Sequence, residues 1–194
     1  MNSKRGVSVV LGLALVAMTS AAYAFSGFDI YTEKKAKENH YAPSGWMGDF
    51  KSIRFSDGWP KNAHSGSTCI KITYDPTKQS AQGWAGIYWQ EPANNWGNQP
   101  GFDVTGATKL TFWIRGEKGG EVISDIFVGG IDGVYPDTAS VAVGPIDLST
   151  EWEKFEINLE GQDLSSIAGG FGWSTSASEN PDGVVFYLDD IRFE

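Results

Sequence analysis

Three observations predict an all-β fold for this chain, an antiparallel β-sandwich of jelly-roll type. Apolar and polar residues alternate in several short runs, turns rich in Gly, Asn, Asp and Pro separate those runs, and helical periodicity is almost absent. Many short strands sharing one core bury their apolar faces only by stacking as two sheets.

Taken in order, the first 24 residues stand apart from this pattern. Lys4 and Arg5 open the chain, Val7 to Ala17 is almost wholly apolar, and Ala22-Tyr23-Ala24 is a small-x-small cleavage signal. Residues 1–24 therefore read as a cleaved secretory signal, with an uncleaved anchor as the alternative. The apolar run is short for a membrane span, so no span is expected in the mature chain and the protein reads as secreted or periplasmic. The remaining ~170 residues, 25–194, suffice for one domain with a substantial core.

Within that domain the strands follow from parity. Thr68, Ile70, Ile72 and Tyr74 form one face of a strand, with Cys69, Lys71 and Thr73 on the other. Leu110, Phe112 and Ile114 alternate with Thr111, Trp113 and Arg115. Glu153, Phe155, Ile157 and Leu159 alternate with Trp152, Lys154, Glu156 and Asn158, and Val184 to Phe193 closes the chain. Thr32 to Asn39 reads as a loop or one helical turn, Trp46 as a loop aromatic, and Asp163 to Ile167 as one short turn capped by Asp163.

Composition narrows the function. The formal charge is -9, and loss of Lys4 and Arg5 with the leader takes it to -11. No sequence cluster of cations is available to neutralise phosphates, so nucleic acid is not an expected partner. Cys69 is the only cysteine, which rules out an intrachain disulfide and leaves a bound metal as a stiffening device.

Eight tryptophans are the most informative feature. They are densest in Gly83-Trp84-Ala85-Gly86-Ile87-Tyr88-Trp89-Gln90-Glu91-Pro92-Ala93-Asn94-Asn95-Trp96-Gly97. Flat rings interleaved with amides suit a ligand with apolar faces and many hydroxyls, which describes a poly- or oligosaccharide. If Ile87 faces inward, Trp84 and Tyr88 flank a bare Gly86 on the outer face, about 13 Å apart; the opposite assignment buries both rings, and parity does not choose. Gln90, Asn94 and Trp96 follow, positioned to read hydroxyls or to close a turn under a lid aromatic. Trp113 and Arg115 form either a second platform with a donor or a surface covered by another segment. Trp152 reads as packed at the sandwich edge, and Trp173 suits either role.

Catalytic patterns are weak. No run sets acids at i, i+2 and i+4 of a central strand, as paired carboxylates of glycan hydrolysis require. Asp125 is a lone candidate, while Asp132, Asp137 and Asp147 sit in turn-like contexts. His40 and His64 belong to no ligand cluster, and no Gly-x-Ser-x-Gly is present. A binding module is expected rather than an enzyme. The alternatives are a jelly-roll glycan hydrolase or lyase, and a surface or periplasmic protein-interaction module.

The pattern Trp152-x-x-Phe155-x-Ile157-x-Leu159, the Asp163-Leu164 turn and the ending Phe186-Tyr187-Leu188-Asp189-Asp190-Ile191-Arg192-Phe193 resemble carbohydrate-binding modules of the galactose-binding-like jelly-roll superfamily. Lys109 to Arg115 fits the preceding strand; the resemblance spans Gly66 to Glu194, with Phe28 to Asp57 a looser fit. It implies noncovalent carbohydrate binding and a structural calcium. Asp189 matches the closing-strand ligand, with Glu33 as its partner and Asp29 a weaker alternative; two carboxylates plus carbonyls fit calcium's preference for oxygens.

Overall fold

The apolar alternation builds the inner faces of two antiparallel sheets. The computed structural model describes residues 25–78 and 82–194; the expected signal at 1–24 lies outside the described residues. In chain order the strands are β1 (Phe28–Tyr31), β2 (Ala42–Gly48), β3 (Ile53–Trp59), β4 (Cys69–Tyr74), β5 (Trp84–Gln90), β6 (Lys109–Gly116), β7 (Val122–Ile123), β8 (Asp125–Gly129), β9 (Ser140–Val143), β10 (Ile146–Asp147), β11 (Glu153–Asn158), β12 (Gly169–Ser176) and β13 (Val184–Phe193). The first sheet runs β11-β6-β13-β4-β3, with β1 paired to the end of β13; the second runs β2-β5-β12-β8-β9. The short strands β7 and β10 pair with each other.

Inward residues interlock between the sheets. Ile70, Ile72 and Tyr74 of β4 and Leu110, Phe112 and Ile114 of β6 are buried on one side; Ile87 and Trp89 of β5 and Phe171 and Trp173 of β12 are buried on the other. Phe171 joins the layers, 5.3 Å from the Trp89 ring and 5.6 Å from that of Phe112. Trp173 meets Phe186 edge-on at 5.0 Å. Two of the tryptophans are thus core residues, and truncating either costs about 3–5 kcal/mol.

One irregularity bears on function. In β13 the positions turned toward the core are Val184, Phe186 and Leu188, then Ile191 and Phe193. The switch from even to odd is a bulge: the register shifts between Asp189 and Arg192, and Asp190 has a φ of 46°. Asp189 remains on the outer side beside Trp113, where an overlying loop buries it.

Two local expectations change, and one of two open alternatives is chosen. Trp46 lies in edge strand β2 rather than a loop, and packs edge-on against Phe55 at 5.9 Å. Asp163 to Ile167 is not a helical turn: Ile167 forms a β-bridge with Phe102, while the Asp163 carboxylate accepts the Ser165 N–H. Thr32–Asn39 is a loop held by turn hydrogen bonds from Ala36 to Glu33 and from Asn39 to Ala36. No helix among the described residues is long and apolar enough to cross a membrane.

Candidate functional site

The register of the second sheet settles which face of β5 points outward. Ile87 pairs with Trp173, a core residue, so Trp84, Gly86 and Tyr88 lie on the outer face opposite Ser176, Ser174 and Gly172. Across β12, Gly172 is followed by Phe127 and Ser174 by Asp125. The outer face therefore carries an aromatic row, Tyr88 and Phe127, beside a polar row, Ser174 and Asp125.

Glycine makes this packing possible. A Cβ on Gly172 would stand 1.9 Å from the Phe127 Cε2, so the phenyl ring lies across a backbone with no side chain. Tyr88 then meets Phe127 at 4.6 Å between centroids, and its hydroxyl donates to the Gly129 carbonyl at 3.0 Å. Trp96, carried on the loop after β5, stands perpendicular to Tyr88 at 5.9 Å. Gly86 is not left bare for a ligand: an added Cβ would meet the Trp173 carbonyl at 2.4 Å and the Met47 methyl at 3.0 Å.

The loops holding these rings are knotted together. Asn95 is buried; its amide donates to the carbonyls of Glu91 and Gln99 and accepts the N–H groups of Asn98 and Gln99. Gly97, at a φ of 77°, lets this loop touch the Asp132–Gly133 backbone, and its carbonyl accepts the Tyr135 N–H at 2.9 Å. Asp137 secures the second loop by accepting the N–H groups of Ile131, Ala168 and Gly169. Burial pushes its carboxyl above the usual carboxylate range, against those three hydrogen bonds. Trp84, Trp96 and Tyr135 remain open to solvent at 36%, 42% and 47% exposure, and Trp46 and Val134 are exposed at the flanks. None of the five strands of this sheet contains a lysine or arginine, whereas Asp125 lies on the face and Glu179 accepts the Ser176 hydroxyl at 2.9 Å.

The seven residues proposed from sequence for carbohydrate binding do not form one site. Trp84, Tyr88 and Trp96 share the second sheet's outer face. Asn94 sits exposed at a left-handed turn (φ 62°) in the Trp96 loop, its backbone N–H donated to Ser44 Oγ. Gln90 departs from its expected role: it is fully buried, donating to the Asn95 carbonyl and accepting from Ser44, so its amide is spent inside the protein. Trp113 and Arg115 lie on the outer face of the opposite sheet. Trp113 is roofed by His64, stacked at 3.7 Å and 16°, and His64 Nδ1 lies 2.8 Å from Asp190 Oδ2. The covering segment of the two alternatives is thus the loop between β3 and β4. Arg115 lies over the rings of Tyr187 (4.0 Å) and Trp152 (5.4 Å).

The carboxylates expected to hold calcium, Glu33 and Asp189, grip that same loop. Glu33 accepts the N–H and hydroxyl groups of Ser67 and Thr68, and these bonds hold its carboxyl below the usual range. Asp189 accepts the N–H groups of His64, Ser65 and Asp190, yet burial, reinforced by neighbouring Asp190, raises its pKa to about 6. Asp29 is paired instead with Arg192 at 3.3 Å. Among the described residues no group of three or more His, Cys, Asp and Glu gathers around a common point. Oxygens that face N–H and O–H donors do not form the oxygen cage calcium requires, so this donor set does not fit the ion.

No protein-family model matches the chain, and no curated protein does. Solved structures do. A family 30 carbohydrate-binding module matches with a TM-score of 0.59 at 16% identity, covering 86% of each chain. A family 11 module from Clostridium thermocellum, in complex with a β-1,3-1,4-mixed-linked tetrasaccharide, matches with a TM-score of 0.56 at 14% identity, covering 88% of this chain and 96% of that one. The fold is therefore that of the carbohydrate-binding-module jelly rolls, in agreement with the resemblance read from the sequence.

Proposed function

We propose that this protein binds a neutral poly- or oligosaccharide noncovalently, on the outer face of the second sheet. One observation carries the reading: Trp84, Trp96 and Tyr135 stand open beside a sheet whose strands contain no lysine or arginine, and hydrogen-bonded loops hold the latter two in place. Sugar rings present a flat C–H face that stacks on an indole and a rim of hydroxyls that Asp125, Ser174 and Asn94 are placed to meet. Rigid aromatic anchors bury area at little conformational cost, which makes them the main source of affinity in such surfaces. An anionic glycan is disfavoured here, because no strand of the sheet supplies a cation. The fold likeness supports this reading, and the leader at 1–24 goes with an exported protein meeting its glycan outside the cytoplasm.

The test is a titration of the mature chain with soluble neutral glycans, read by calorimetry and tryptophan fluorescence. Binding to at least one glycan, abolished in the Trp84→Ala/Trp96→Ala double variant, is the expected result. Binding that survives this double change in a folded protein overturns the assignment.

A further inference from the structure

The outer face of the first sheet carries a second assembly of rings, and its chemistry is the reverse of the first. Arg115 on β6, Tyr187 on β13 and Lys71 on β4 are consecutive cross-strand partners, with Ser56 of β3 next in register. Arg115 lies 4.0 Å over Tyr187, Lys71 lies 5.1 Å over the same ring and 4.4 Å over Trp59, and Trp152 flanks the other end. Cations and aromatic planes thus alternate across four strands, about 14 Å at ordinary strand spacing. Lys61 adds a further charge 5.8 Å from Trp59. Beside the row lies a groove of about 370 Å³ lined by Arg54, Phe55, Ser56, Trp59, Lys71, Thr73 and Val185.

The cations of this row are mostly not engaged in ion pairs. Among the described residues, Arg54, Lys61 and Arg115 make no ion pair with a carboxylate. Glu117 supplies a carboxylate to the row; it accepts the Tyr187 hydroxyl and lies 3.8 Å from Lys71. Glu117 is thus the one acid paired with the row, on a chain whose formal charge is -9, while Arg54 also borders a groove lined by Asp75, Glu121, Glu179 and Asp182. Arg115 is fixed by its stacking and spends one N–H on the Gly116 carbonyl at 3.1 Å, which leaves other donors of its guanidinium for a ligand. A preorganised guanidinium is the side chain best suited to a planar carboxylate.

We propose that this face is a second binding site, for an oligosaccharide bearing carboxylates, that is, a uronic-acid-containing chain. Such a ligand has one acid per charged ring to pair with Arg54, Lys71 and Arg115. It also has C–H faces to lie along the apolar floor of Trp59 and Val185. An acidic peptide would answer the charges and leave that floor uncovered. The two sheets then divide glycan chemistry between them, neutral chains on the sheet whose strands lack cations and acidic chains on the cationic one. The proposal does not depend on the neutral-glycan reading, since the two faces share no residue.

The experiment titrates the mature chain with a trigalacturonate, a neutral β-glucan tetrasaccharide and a glutamate-rich peptide. Trigalacturonate is expected to bind, to weaken about tenfold in Arg54→Gln/Arg115→Gln, and to keep its affinity in Trp84→Ala/Trp96→Ala. In the unmodified protein its affinity is expected to fall steeply with added sodium chloride, while that of a neutral glycan does not. This salt series needs no variant and holds even if the arginine changes unfold the chain. The proposal is overturned if trigalacturonate does not bind, if its binding ignores salt or the arginine changes, if it follows the Trp84/Trp96 variant, or if the peptide binds as tightly. Failure of the neutral glycan alone counts against the second-sheet reading only.

Discussion

Replacing Trp96 by alanine separates what this ring does for the ligand from what it does for the fold. Its indole is 42% exposed and touches the sandwich mainly through the perpendicular contact with Tyr88 at 5.9 Å. Losing such an aromatic pair costs about 0.5–1.5 kcal/mol of stability. The loop itself is held by the Asn95 amide and by the Gly97 carbonyl, neither of which the substitution touches. Binding should suffer more: an exposed ring acting as an anchor contributes about 1–3 kcal/mol, a loss of roughly 5- to 150-fold in affinity. Calorimetric titration with whichever neutral glycan binds best, alongside a thermal melt, gives both numbers on one preparation. Trp89→Ala is the contrast, since that ring is 1% exposed and its loss should cost about 3–5 kcal/mol of stability. An unchanged affinity in a folded Trp96→Ala protein would refute the argument that open rings on this face carry recognition.

Three other outcomes follow from the geometry. Asp189 titrates at about 6 in the folded chain against about 3.9 unfolded, so the native state holds the extra proton between those values and stability should fall as pH rises from about 4 to 6. The ceiling on that fall is about 3 kcal/mol, and Asp189→Asn should flatten it; a denaturation series whose slope is unchanged in the variant would contradict this origin. Because Glu33 and Asp189 are already paired with N–H and O–H donors, a chelator should leave the melting temperature unchanged at neutral pH, and a clear drop would restore a calcium between them. Gly172→Ala places a methyl 1.9 Å from Phe127 Cε2, so the ring must move; a loss of about 1–3 kcal/mol is expected in denaturant unfolding, with weaker glycan binding through the displaced Tyr88.

The strands visible in the sequence are those with one clean apolar face. Ile70, Ile72 and Tyr74, and likewise Leu110, Phe112 and Ile114, alternate because one side of each strand meets the core. β2 escaped notice because Pro43, Ser44 and Gly45 show no such alternation in an edge strand, where packing on one side only relaxes the pattern. Parity identified the possible faces of the rings but not what lies above them. Trp84 and Tyr88 face outward because Ile87 pairs with core Trp173, a fact of register rather than composition. Trp113 also faces outward, yet His64 from a loop far away in sequence covers it. Gln90 has the parity of an outward residue and is buried because Ser44 and the Asn95 loop close over it. The cationic row was invisible for a related reason: Arg54, Lys61, Lys71 and Arg115 are scattered along the chain and meet only when β3, β4, β13 and β6 align.

Indole N–H resonances give the most direct reading of where a glycan sits, because each tryptophan reports separately from a known place in the sandwich. On titration with a neutral β-glucan oligosaccharide, the signals of Trp84 and Trp96 should move while those of buried Trp89 and Trp173 stay fixed. Shifts confined to Trp59, Trp113 or Trp152, or none among the eight, would show that the second sheet's open rings are not where sugar binds.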